Sequence, residues 1–198
     1  MKGFIFNIAI FLTLTALFAL PLAEAREPEK SKMGIRTIKR QLRFDLIHFP
    51  KPRFIPDLTL SDLDGNKVRL SELKGKIVVL NFWATWCPPC IKEMPSLDQL
   101  HRFLRKQKFE VIAVSVDTEG TKLVRKFVNR GKFTFRVLID SEKKTEGPFG
   151  LRGLPISYVI DHRGLIIAGA IGAINWSSKK AIAYFETLIK EANSPLRN

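Results

Sequence analysis

Residues 78–97 read VVLNFWATWCPPCIKEMPSL and hold both cysteines of a 198-residue chain, Cys87 and Cys90. The run Ile77–Trp83 is continuously apolar, as a β-strand covered on both faces must be, so it is expected to be a central strand. From Pro88 the apolar positions Ile91, Met94, Leu97, Leu100, Phe103 and Leu104 recur at spacings of three and four. That predicts a helix from the cysteine pair to about Arg105, kinked at Pro95. The cysteines therefore stand at a strand-to-helix junction.

Two thiols this close could hold a metal, exchange electrons or fill space. A structural staple is the weakest reading, because a bridge over so short a loop constrains little chain and a domain of this size builds its own core. A helix N-terminus presents unpaired N–H groups and the positive end of the helix dipole, an effect reaching ~2 kcal/mol. These favour the thiolate of Cys87 and make it the nucleophile. Cys90, one turn on, is expected to be more buried and to attack a mixed disulfide formed by Cys87. Pro88 and Pro89 stiffen the loop at positions where a helix tolerates proline.

Working outward, Leu58–Leu60 and Val68 flank Asp64-Gly65-Asn66 as an N-terminal β-hairpin, and Ser71–Leu73 forms a brief helical turn. Residues 111–116 read as a buried strand, 121–129 as a short helix and 135–139 as another strand. Residues 142–149 are weakly helical and interrupted by Gly147-Pro148. Residues 156–160 and 165–170 form a hairpin around Asp161–Gly164, and 176–191 close the chain as an amphipathic helix. Alternating strand and helix argues for α/β.

The N-terminus carries Lys2, an apolar run from Phe4 to Leu20, and Ala23-Glu24-Ala25. This is the pattern of a signal peptide over residues 1–25, with an uncleaved membrane anchor as the alternative. No cysteine follows the run, which excludes an acyl-anchored lipoprotein. The net charge is +14, unchanged by removal of the leader because Lys2 and Glu24 cancel. In an exported chain this points to an anionic membrane surface and not to nucleic acid. Residues 26–51 are expected to be a basic linker and 52–198 the folded domain.

The segment VVLNFWATWCPPCIKEMPSL, with PDLTLSDLDGNKVRLSELKGK before it and VIAVSVD and GLPISYVIDHRG after it, resembles the TlpA-like and ResA-like branch of thioredoxin-fold disulfide oxidoreductases. The likeness covers about residues 55–190. It implies a thioredoxin fold, in which a central mixed sheet is flanked by helices, with an N-terminal hairpin and a central insertion. It further implies an exported reductase of disulfides in envelope proteins, apocytochrome c among them, working through the Cys87–Cys90 couple without a further cofactor. A membrane thiol electron donor would recharge it in the periplasm or on the outer face of the membrane.

Residue by residue, the resemblance makes Pro155 the cis-proline of the site, with Leu154 beside the disulfide. Asn81 stands where thioredoxin has a buried Asp, and Glu93 takes over proton transfer. Trp86 shapes the rim while Trp83 packs below. Ile156, where a Thr commonly follows the cis-proline, and the Gly147-Pro148 break depart from the family pattern and bear on client recognition.

Competing chemistries leave different marks. A peroxiredoxin-type peroxidase needs Thr at position 84 and Pro at position 80, occupied here by Ala84 and Leu80. Haem attachment needs His at position 91, which is Ile91. An exported dithiol oxidase or isomerase differs from a reductase only in potential and partner. A copper carrier would need His162 as a third ligand to the cysteines.

Overall fold

The computed structural model describes residues 45–194. An eight-stranded sheet has the order β1-β8-β7-β4-β5-β6-β2-β3. The strands are β1 (Ile47–Phe54), β2 (Thr59–Asp62), β3 (Lys67–Arg69), β4 (Ile77–Trp83), β5 (Phe109–Ser115), β6 (Arg136–Ile139), β7 (Ile156–Ile160) and β8 (Leu165–Ile171). The helices are α1 (Pro88–Leu104), α2 (Thr121–Gly131), α3 (Glu146–Phe149) and α4 (Lys179–Asn193), with a 3-10 turn at Leu70–Glu72. Strands β4, β5 and β6 run parallel, and β7 lies antiparallel to β4. This is the mixed sheet of a thioredoxin fold, with α2 and β6 inserted between β5 and the final hairpin and with β2–β3 docked on β6.

Strand β4 is buried throughout because both its faces are covered. Ile77, Val79 and Trp83 join a core with Met94, Leu97, Leu100 and Leu104 of α1 and with Phe185 and Ile189 of α4. Val78, Leu80 and Phe82 alternate onto the other face, against Leu70, Leu138 and Phe149. The same alternation places Asn81 on the α1 face. Helix α1 passes through Pro95 without ending there.

Residues 47–51, expected as linker, belong to β1, so the sheet begins earlier than position 52. The segment IHFPKPRF has two prolines and mostly exposed side chains, which conceal a strand. The edge position tolerates them: among the described residues β1 pairs only with β8, and its register shifts between His48 and Arg53. The expected signal segment lies outside the described residues. Among those residues, no helix is long and apolar enough to cross a membrane.

Candidate active site

The carboxyl end of β4 delivers the chain into a short loop fixed from below. Asp117, buried beyond β5, accepts the Thr85 hydroxyl at 2.6 Å and the Thr85 N–H at 3.0 Å. The Ser115 hydroxyl donates to the same carboxylate at 2.7 Å. The loop then turns, with the Cys87 N–H donating to the Ala84 carbonyl at 3.2 Å.

Cys87 is the N-cap of α1, and its Sγ accepts the Cys90 N–H at 3.3 Å. Pro88 and Pro89 fill the first helical positions, where an N–H would have no partner inside the helix. The cysteines are joined as a disulfide with their Cα atoms 5.3 Å apart. Cys87 retains 4% exposure and Cys90 none, so Cys87 is the more accessible of the two. In the reduced protein, alkylation is expected to modify Cys87 at a pH below that needed by an ordinary thiol and to leave Cys90 unmodified while the domain is folded. Rates of alkylation against pH, with peptide mapping, measure this. Equal labelling of the two would contradict it.

Three residues after Cys90, Glu93 lies on the buried face of α1 and is only 2% exposed. Its Oε1 accepts Asn81 Nδ2 at 2.8 Å. Its Oε2 accepts the indole N–H of Trp176 at 3.1 Å and the Ile174 backbone N–H at 3.2 Å. Burial raises the Glu93 pKa above the ordinary carboxylate value, against the opposing pull of the donors from Ile174, Asn81 and Trp176. Asn81 also donates to the Ser157 hydroxyl at 2.9 Å, across a register that sets Asn81 opposite Ser157.

The Leu154–Pro155 peptide is cis, as the resemblance implies. Pro155 precedes β7, whose Ile156 pairs with Phe82, so the proline loop and the cysteine loop share one end of the sheet. The Pro155 carbonyl accepts the Gly172 N–H at 2.8 Å. Leu154 and Trp86 line a cleft of about 260 Å³ with Val116, Leu151, Lys143 and Arg152. Trp86 is 66% exposed and Ile171 is exposed at the same end, giving the rim an apolar character. His162, the third ligand that a copper carrier would need, sits in the β7–β8 turn at the opposite end, where its carbonyl accepts the Gly75 N–H. Among the described residues, no group of three or more His, Cys, Asp or Glu side chains could hold a metal ion.

All the residues expected at the site from sequence are gathered at this end of the sheet. Trp176, Ser157, the Ile174 N–H and the Thr85–Asp117 clamp were not foreseen. Only Ser157 had a signal in the sequence, being the first polar residue after Pro155 in an otherwise apolar strand.

A cysteine capping a helix, a fully buried cysteine one turn on, a buried carboxylic acid on the same helix and a cis-proline loop at the same end of the sheet define a dithiol–disulfide exchange site on a thioredoxin fold. The sequence model of the AhpC/TSA family matches residues 53–168. The chain is 34% identical over 168 residues to the thiol-disulfide oxidoreductase ResA of Bacillus thuringiensis (strain Al Hakam), covering 85% of this chain and 87% of the relative. It is 41% identical over 111 residues to the ResA of Geobacillus thermodenitrificans, covering 56% of this chain and 63% of the relative. A solved thiol:disulfide interchange protein of the thioredoxin family from Chlorobium tepidum superposes with a TM-score of 0.58 at 26% identity, over 73% of this chain and 98% of that one. The chain belongs to the AhpC/TSA family, among its ResA-related, TlpA-like thiol-disulfide oxidoreductases with a thioredoxin fold.

Proposed function

We propose that this oxidoreductase works as an exported reductase of disulfides in envelope proteins, with apocytochrome c among its clients. The observation that carries the reading is the asymmetry of the pair: Cys87 caps α1 and keeps a slight exposure, and Cys90 lies fully buried one turn on, three residues before Glu93. In the reduced protein the Cys87 thiolate attacks one sulfur of a client disulfide, forming a mixed disulfide and releasing a client thiolate. Cys90, deprotonated with Glu93 as acceptor, then attacks the Cys87 sulfur. The second client thiolate leaves, the Cys87–Cys90 disulfide forms, and two electrons have passed to the client. A membrane dithiol donor restores the pair by the same exchange in reverse.

The client's backbone would lie along the edge left by Leu154 and Pro155, with its flanking apolar side chains against Trp86 and Ile171. The export pattern in residues 1–25 and the ResA relationship support a site on the outer side of the cytoplasmic membrane. Direction is tested by equilibrating the protein with glutathione buffers. The expected potential lies near that of thioredoxin, about −270 mV, whereas a value near −120 mV would identify an oxidant of exported thiols and overturn the reductase reading.

A further inference from the structure

The end of the sheet opposite the disulfide carries a charge pattern that the exchange reaction does not use. Lys74, Lys76 and Arg136, with Lys67 and Arg69 of the β3 edge, line a depression of about 250 Å³ that reaches from this end to the sheet edge, opposed by Glu72 and Glu110. Glu110 is buried and already neutralised, accepting Lys76 Nζ at 2.9 Å and Arg136 Nε at 3.2 Å. Asp57 is occupied by Arg69 and by the Ser71 hydroxyl. Lys74 makes no ion pair with a described carboxylate. Its stem lies over Gly164, and its ammonium stands 5.9 Å from the centre of the Phe54 ring. That ring is 67% exposed. Lys108 is exposed beside this group, its carbonyl holding the Ile77 N–H at the first residue of β4.

An exposed aromatic ring beside a lysine, at an end of the sheet that also carries Lys108, suits an interface that is apolar a few ångströms down and anionic at its surface. We propose that this pole docks on anionic lipid, with Phe54 entering the headgroup layer while Lys74 and Lys108 meet lipid phosphates. This rests on the reading of the protein as exported. The seven residues of β4 span roughly 20 Å at ~3.3 Å per residue, so a domain docked this way holds Cys87 away from the bilayer and facing soluble clients. Attraction of this kind is reversible, screened by salt within a Debye length, and compatible with periodic reorientation toward a membrane donor.

The test uses the full chain on vesicles with brominated acyl chains, of phosphatidylglycerol with phosphatidylcholine or of phosphatidylcholine alone. Tryptophan emission then reports which face meets lipid, whatever else holds the chain to the vesicle. In the wild type, Trp86 reports the disulfide end, because Trp83 and Trp176 are buried. Phe54→Trp adds a reporter at the basic pole. The expected result is bromolipid-quenchable emission gained by Phe54→Trp on phosphatidylglycerol vesicles only. The gain should vanish at ~1 M salt, where the Debye length is ~3 Å.

Adding Lys74→Glu and Lys108→Glu, which spare the pairs on Glu110, should abolish the gain. The matched reversal of Lys122 and Lys179, exposed residues outside the basic pole, should preserve it. Equal gain on phosphatidylcholine, survival of the gain in the charge-reversed variant, or quenching confined to Trp86 would each overturn the proposal. Disulfide exchange with a soluble substrate, measured on the same variants, is expected to be unchanged. Its absence from the wild type would count against the exchange reading and leave the docking result standing.

Discussion

Cys90→Ser is expected to hold a client protein as a covalent adduct on Cys87, stable until reductant is added, while Cys87→Ser traps little and loses exchange activity. The asymmetry follows from which sulfur each step needs. Cys87 has the helix N-terminus and the only exposure of the pair, so it is the one that attacks an incoming disulfide. Cys90 is buried and can reach only the sulfur already attached to Cys87. Removing it leaves the first exchange intact and abolishes the release of the client. Non-reducing gels of cell envelopes, followed by mass spectrometry of the adduct, make the comparison. Equal trapping by both variants would remove the basis for assigning attack to one cysteine and release to the other, and the identity of a trapped protein would decide the client class.

The effect should be close to all-or-none, because no other sulfur nucleophile is available. The chain has no third cysteine. Cys90→Ser should retain the packing of the buried site, since a hydroxyl is smaller than a thiol and α1 is capped by Cys87 and not by residue 90. A destabilised variant would show reduced trapping together with loss of cooperative unfolding. A folded variant that trapped nothing would weigh against the reductase reading itself.

Much of this arrangement was legible in the sequence because it depends on local pattern. The apolar run Ile77–Trp83 and the three-and-four spacing after Pro88 are properties of neighbouring residues, and they located β4, α1 and the cysteine junction. The support of the site is non-local. Trp176 reaches Glu93 from 83 residues away, and Ser157 meets Asn81 only because β7 pairs with β4 in one particular register. No periodicity encodes either contact. Strand β1 was hidden for a different reason. An edge strand needs neither alternation nor a free N–H at every position, so Ile47–Phe54 resembles a proline-rich linker until β8 supplies its partner.

The same buried contacts govern what Glu93→Gln should do. Burial keeps the Glu93 proton bound to a pH above the ordinary carboxylate value even though Asn81, Ile174 and Trp176 all donate to its oxygens. A carboxyl in that condition gives up its proton as pH rises and can then accept one from Cys90. The rate of client reduction by the wild type is therefore expected to rise with pH through the Glu93 titration. In Glu93→Gln the rate should fall on the order of 10²-fold and lose that limb, the general-base contribution being gone. The fold should survive, because Asn81 Oδ1 is buried without a partner among the described residues and a turned amide would let it accept from the new Gln.

Stability supplies an independent reading with a definite sign. The folded pKa of Glu93 lies above its unfolded value, so between the two the native state binds a proton that the unfolded chain has released. The contribution of Glu93 is present below the unfolded pKa and is lost as pH rises through the folded one. Denaturant unfolding of the oxidised protein at a series of pH values should show that decline in the wild type and not in Glu93→Gln. If both the rate profile and the stability slope were unchanged, Glu93 would be no more than a packed polar residue, and the proton taken from Cys90 would have to go elsewhere.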